Sequence, residues 1–207
     1  MIQARHTPFF VRFFNWYSRR MMHAHFREIR YHNTIQTPQK PVLVIANHFS
    51  WWDGFFVVHY NKRFLKKKFH VMMLEDQLKN RSFLNKAGAF SIKKNSRSVI
   101  ESLKYAGRIL SHNNNLLLMF PQGQIQSQHQ CQFTFEKGIE TILKHSELQP
   151  EILFIANLTE YYSHKKPSMD VYFEILDEPF QTTKRLEEKY NLFFQKCIRS
   201  QREEGIE

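Results

Sequence analysis

The sequence predicts an α/β fold: a single domain with a mainly parallel sheet covered by helices, and an N-terminal amphipathic helix. Three observations carry this. Short apolar runs rich in branched residues recur along the chain, and helical periodicities separate them. The chain's 207 residues, 42% of them hydrophobic, suffice for one substantial core, and no composition shift divides it. Strands that alternate with helices need crossover connections, which make a parallel sheet buried on both faces.

The elements follow in order. At 100° per residue, the segment "PFFVRFFNWYSRRMM" gathers Phe9, Phe10, Phe13, Phe14, Trp16, Tyr17 and Met21 on one arc, with Arg12, Asn15, Ser18 and Arg19 opposite. Arg20 falls inside the apolar arc and can snorkel, while Val11 and Met22 sit on the polar side. An aromatic and basic helix of this kind suits a lipid headgroup layer, or it packs on the domain's own core; both uses can hold for different parts of Phe9–Phe26. The expected division is a membrane-associating helical segment over 1–35 and the domain proper over 36–207. After Pro41, "VLVIA" reads as a strand buried on both faces, and "FHVMML" (69–74), "AFSI" (89–92), "LLLMF" (116–120) and "EILFIANL" (151–158) share its character. Helical patterns fall near 53–61, 75–86, 97–112 and 135–146. "SMDVYFEIL" (168–176) alternates with period two and is expected antiparallel to 151–162 across "SHKKP". A last helix from about Thr183 to Arg202, with Leu186, Tyr190, Phe193 or Phe194, and Cys197 at helical spacing, docks on the domain.

Composition narrows the class. With six glycines and seven prolines, collagen-like and low-complexity chains are excluded. Cys131 and Cys197 make no disulfide framework, which suits a reducing compartment. No apolar run approaches the ~20 residues that cross a bilayer, and the start lacks the apolar core of a signal peptide, so a peripheral position is expected. A net charge of +11 predicts an anionic partner: nucleic acid, anionic lipid, an acidic carrier protein or a phosphorylated cofactor. The densest basic cluster is Lys62, Arg63, Lys66, Lys67 and Lys68, either a solvated loop or a docking patch.

Chemistry gathers beyond the carboxyl ends of strands in such sheets, where loops leave backbone groups and helix N-termini free. In "VIANHFSWWDGFF", His48 lies just past a strand end and Asp53 at or near the start of the next helix. A carboxylate on one ring nitrogen fixes the tautomer and stabilises the imidazolium, leaving the other nitrogen to take a proton. The pair reads as a general base with its orienting partner; a capping aspartate beside an ordinary polar histidine is the alternative.

Asn47-His48 followed by Asp53 is an N-H-x-x-x-x-D signature, and there the sequence resembles the glycerolipid acyltransferase family typified by 1-acylglycerol-3-phosphate acyltransferases. The family's second block looks like "GAFSIKK", with Gly88, Phe90, Ile92 and Lys93 or Lys94. Its third, F-P-E-G-T-R-S, is similar to "FPQGQIQS", with Phe120, Pro121 and Gly123 in place and Ser127 near the block's end. The fourth, an apolar strand, is similar to "EILFIANL". Order and spacing agree over about 40–178. The resemblance implies an O-acyltransferase of lipid metabolism, of the lysophospholipid acyltransferase type, at the cytoplasmic face of the membrane. His48, oriented by Asp53, would deprotonate an acceptor hydroxyl that attacks an acyl-coenzyme A or acyl-carrier protein thioester, without a covalent enzyme intermediate. It further implies substrate binding by Asn47, Trp51, Trp52, Phe90, Lys93, Lys94, Phe120, Pro121, Gln122 and Gly123. The partners are then a lipid acceptor, the thioester and an anionic membrane surface, with no cofactor beyond the thioester co-substrate.

Two blocks depart from the family. Gln122, Gln124 and Ile125 stand where it has an acid, a threonine and an arginine, and lysine stands for the second-block arginine. A bidentate guanidinium has become an alkyl group, and a lysine is only a point charge to a phosphate. Either Lys93 and Lys94 hold the acceptor's phosphate, or the acceptor has none there and is a glycosylated, amino-acid-containing or similar hydroxylated lipid; the second is the expectation. The intact His48 and Asp53 argue against a decayed site.

Other signals are set aside. His129 near Cys131 lacks an orienting third group. "HAH" at 23–25 and the scattered histidines carry no metal spacing, and no metal is expected. "NLT" at 157–159 matches a glycosylation pattern inside an expected buried strand. Trp51, Trp52, Phe55 and Phe56 shape an apolar wall, since indole supplies no acid or base. The rivals are a basic nucleic-acid-binding protein, for which no module is present, and a non-catalytic lipid-binding member of the same fold.

Overall fold

A computed structural model describes residues 1–33, 35, 37–94, 97–180 and 182–204. In chain order the elements are α1 (Pro8–His25), β1 (Glu28–His32), β2 (Val42–Ala46), α2 (Asp53–Tyr60), β3 (Lys68–Leu74), α3 (Glu75–Asn80), β4 (Ala89–Ile92), α4 (Val99–Ile109), β5 (Asn115–Met119), α5 (Ile139–Lys144), β6 (Glu151–Glu160), β7 (Ser168–Ile175) and α6 (Thr183–Glu204). The described strands form one sheet in the order β1-β7-β6-β2-β5-β3-β4, parallel throughout except for the β6/β7 pair. The antiparallel pairing expected of 168–176 is found, with Leu158 opposite Asp170.

Central strands β2 and β5 are buried at every position because helices cover both faces. Alternation divides their side chains. Leu43, Ile45, Leu117 and Met119 meet α4, α5 and α6 through Leu103, Ile142 and Phe194. Val42, Val44, Leu116 and Leu118 meet α1 and α2 through Met22, Phe55 and Phe56. Gly107 on α4 is required by close approach to α5: a Cβ there would stand 2.6 Å from the Ile142 carbonyl oxygen. The other expected helices differ in extent. The pattern at 75–86 breaks at Arg81 into α3 and a 3₁₀ turn over Ser82–Lys86, the helix near 53–61 runs on as a π turn over Asn61–Leu65, and 135–146 yields only the short α5.

The segment 1–35, expected to be helical, holds a strand as well. Glu28–His32 pairs in parallel with β7, its Ile29 and Tyr31 packed on the core face. On the other face, wholly buried Asp170 accepts Arg30 Nε and Nη2 at 2.7 and 2.8 Å, His32 Nε2 at 2.8 Å and Gln201 Nε2 at 3.0 Å. Burial pushes this carboxyl up, but the Arg30, His32 and Gln201 donors outweigh it and hold it below the usual carboxylate range. A depressed carboxyl stabilises the fold above its unfolded pKa, and that stability is lost as pH falls through the folded value. Asp170→Asn is therefore expected to flatten the acid limb of a melting-temperature profile. At neutral pH it should cost toward the low end of the roughly 3–5 kcal/mol seen for a broken buried ion pair, since Arg30 can turn to solvent.

α1 docks by the side that looked polar. Ser18 and Met22 are buried, and Phe14 packs on the core. The aromatic arc turns outward, with Phe9 70%, Phe13 47% and Trp16 57% exposed and Tyr17, Arg12, Arg19 and Arg20 around them. Among the described residues no helix is long and apolar enough to cross a membrane.

Candidate active site

β2 and β5 are parallel neighbours, with Ile45 beside Met119, but the chain leaves them toward opposite faces of the sheet: from β2 to α2, from β5 to α5. Beyond the carboxyl ends, the position at which doubly wound sheets bind ligands, their loops meet and lie against each other. One loop carries Asn47 and His48, and the other carries Phe120 to Gly123.

Asp53 is the first residue of α2, wholly buried, and its carboxylate points back rather than along the helix. Oδ2 accepts the backbone N–H groups of Phe49 and Ser50, each at 2.8 Å, and His48 Nδ1 at 2.9 Å. The simple capping role is thereby excluded, since the N-cap position, Trp52, makes no side-chain cap bond and the aspartate serves the loop before the helix. Burial pushes the Asp53 carboxyl up, against the pull of His48, Ser50 and Phe49. With the carboxylate ionised, Nδ1 carries the proton and Nε2 presents its lone pair. No described residue bonds Nε2, and the side chain is 22% exposed.

The other loop holds the imidazole in place. The His48 ring stacks on Phe120 with centroids 4.1 Å apart and planes 14° apart. The His48 N–H donates to Gln122 Oε1 at 2.7 Å, its carbonyl accepts the Gln126 N–H at 2.9 Å, and Gln122 Nε2 donates to Gln126 Oε1 at 2.8 Å. Gln122 thus needs only a neutral acceptor oxygen to anchor the β2 loop, and a carboxylate is not required for that bond.

Gly123 has φ +67°, and a Cβ there would stand 2.5 Å from Lys94 Nζ and 3.0 Å from Glu136 Cγ. The positive φ calls for glycine, and the missing side chain leaves room for the lysine. Lys94 therefore reaches this loop, where it donates to Glu136 Oε1 at 2.9 Å. Lys93 is exposed beside it, at the end of β4. Trp51, 42% exposed beneath the Arg81 guanidinium at 4.6 Å, stands on the rim next to Asp53. Trp52 leans instead on His25 and Phe26 at the end of α1. Pro121 is buried, its carbonyl accepting the Glu136 N–H at 2.7 Å.

Several residues expected to bind substrate are turned into the protein, Pro121 and Gln122 being buried and Asn47 and Phe90 lying deepest. Asn47 is buried, its amide donating to the Asn157 carbonyl at 2.9 Å and accepting the Asn157 N–H at 2.8 Å, so it extends the β2/β6 pairing. Phe90 is fully buried against Tyr105 and the α4 side of the core. Motif position does not report which way a side chain points, and here β4's alternation turns Phe90 inward. Gln126, Glu136 and Tyr190, whose hydroxyl donates to the Ile155 carbonyl behind the site at 2.8 Å, were not anticipated. Gln126 lay within the third block; the other two had no local signal. Among the described residues no cluster could hold a metal.

Comparison with known proteins agrees with this architecture. The family model for Acyltransferase matches residues 28–155. No curated protein matches the chain in sequence. Among solved structures, the 1-acyl-sn-glycerophosphate acyltransferase PlsC from Thermotoga maritima superposes with a TM-score of 0.66 at 14% identity, covering 93% of this chain and 79% of that one. This likeness shows a shared fold.

Proposed function

Since the chain belongs to the acyltransferase family, we propose that it moves a fatty acyl group from an acyl-coenzyme A or acyl-carrier protein thioester to a hydroxyl of a lipid acceptor. One observation carries the mechanism: Asp53 engages Nδ1 of His48 while no described residue bonds Nε2 of the partly exposed ring, beyond the carboxyl end of β2. Nε2 takes the acceptor's hydroxyl proton as its oxygen attacks the thioester carbonyl. The tetrahedral adduct then expels the thiolate, which recovers the proton from the imidazolium, leaving an ester and a free thiol. The Asp53 carboxylate stabilises the imidazolium between these two transfers and holds the ring through Nδ1.

The acceptor works from a membrane surface. The outward aromatic face of α1, bordered by Arg12 and Arg19 and with Arg20 within it, is the composition of a helix lying among headgroups, and it supports peripheral attachment. The +11 charge favours an anionic bilayer and an anionic thioester carrier. The transfer itself is tested by incubating purified protein with a long-chain acyl thioester and a panel of hydroxylated lipids in vesicles. Failure to acylate any of them would reject the assignment.

The third block favours an acceptor without a phosphate at the position the solved relative's name implies. Gln122, Gln124, Ile125 and Gln126 are uncharged, and the nearby Lys94 ammonium is countered by Glu136. Wild-type protein should then prefer a glycosylated or otherwise non-phosphorylated acceptor over lysophosphatidate. Glu136→Gln, which uncovers Lys94, should shift the ratio of kcat/KM values toward lysophosphatidate by about two- to fivefold, in line with one exposed charge pair. Exclusive use of lysophosphatidate by the wild type would refute this acceptor class while leaving the transfer reaction intact.

A further inference from the structure

A cavity of about 320 Å³ lies at the opposite end of the sheet from His48. α2 begins at Asp53 in the site, while its far end supplies Val58 to the cavity wall, and Lys68 at the amino end of β3 supplies the rim. The floor is apolar: Val11 and Phe14 of α1, Val58, Phe69 and Ala87. The rim is cationic, with Lys62, Lys66 and Lys68, and no carboxylate is among the described lining residues.

The rim is built rather than loose. The Asn61 side chain donates to the Lys67 carbonyl at 2.8 Å and accepts the Lys67 N–H at 3.0 Å, and Lys67 Nζ donates to the Asn113 carbonyl at 2.7 Å. Lys66 is held at φ +55°, a conformation unusual for lysine, by this same turn. Lys67 is thus committed to the scaffold, whereas Lys62, Lys66 and Lys68 donate their ammonium groups to no described residue. Asn15 of α1 adds an amide that no described residue bonds. Val11 lies on the docked side of α1, but Asn15 stands at its edge, beside the exposed Arg12 and Arg19 that border the aromatic arc, so headgroups meeting that border come to the cavity mouth.

We propose that this cavity binds the phosphate-bearing headgroup of an anionic membrane lipid, a site separate from the acceptor's, and so fixes the orientation of α1 on the bilayer. The proposal rests on the peripheral attachment argued above. The lysine rim meets the phosphate, the Asn15 amide a headgroup oxygen, and the apolar floor the glycerol and first methylenes.

The test is cosedimentation of the full chain with phosphatidylcholine vesicles, alone or doped with phosphatidylglycerol. Wild-type protein should favour doped vesicles by about tenfold or more. Lys62→Gln with Lys66→Asn, asparagine being tolerated at a positive φ, should lower that preference at least about threefold, the rest being the general attraction of the remaining basic residues. Val11→Trp, which fills the cavity and leaves every charge, should do the same, with melting temperatures reporting that each variant is folded. Lys165→Gln with Lys166→Gln removes equal charge from the β6–β7 connection and should keep the preference. Full preference in folded Val11→Trp, or equal loss in the Lys165/Lys166 control, would overturn the site in favour of diffuse surface charge. Stabilisation by inorganic phosphate alone as large as that by doped vesicles would make it a free-anion site and overturn it too. Binding to neither vesicle by the wild type would instead reject peripheral attachment itself.

Discussion

His48→Ala is expected to lower acyl transfer by ~10²–10⁴-fold, the usual contribution of a positioned general base, in a protein that still folds. The reason is that the loop is anchored by backbone, not by the imidazole. The N–H bond to Gln122 and the carbonyl bond from Gln126 survive in alanine, and Asp53 keeps the Phe49 and Ser50 donors. What is lost is the stacking on Phe120 and one partly exposed hydrogen bond, together about 1–2 kcal/mol. For a chain of this size that lowers the melting temperature by only about 2–8 °C. Transfer by the folded variant within tenfold of wild type would remove His48 from the chemistry.

Asp53→Asn should separate catalysis from stability. The amide oxygen can still accept loop N–H groups, but it brings no charge to stabilise an imidazolium, so turnover should fall by ~10²–10⁴-fold. Stability should move the other way or not at all. Burial raises the Asp53 carboxyl above its unfolded value, so its linkage contribution is complete below the unfolded pKa and is lost as pH rises through the folded value. At neutral pH the fold therefore bears the cost of a buried charge, which asparagine relieves. Asp53→Ala differs, since it leaves the Phe49 and Ser50 N–H groups without an acceptor at about 1–3 kcal/mol. Melting curves and acyl-transfer rates on both variants decide the point: an Asn variant that is as unstable as the Ala variant and still active would make Asp53 purely structural.

The stability and activity of this site thus pull apart at one residue, a pattern expected where a buried charge is retained for what it does to its neighbour. The Arg30–Asp170 pair on the sheet's other flank is the contrast. There the donors outweigh burial and the carboxyl is depressed, so its charge stabilises the fold at neutral pH.

Much of this was legible in the order of residues. The runs at 42–46, 116–120 and 151–158 read as strands covered on both faces, because each is short, apolar and rich in residues that favour strands. His48 and Asp53 were legible because five residues across one tight loop bring them into bonding range. β1 was not. Its five residues alternate Ile29 and Tyr31 with Glu28, Arg30 and His32, a pattern too short to stand out beside an aromatic helix, and the Asp170 that bonds Arg30 and His32 lies about 140 positions away. Asn47 and Phe90 misled for another reason, since a motif position carries no sign for inward or outward.

What the sequence determined alone was therefore local: which segments are strands, which histidine stands at a strand's end, and which carboxylate can reach it. Only tertiary structure decided that α1 turns its aromatic face outward, that Gln122 secures the His48 backbone, and that Glu136 counters Lys94. Those outcomes depend on partners separated by dozens of residues, and contacts of that kind exist only after the chain has closed its long loops around a common sheet.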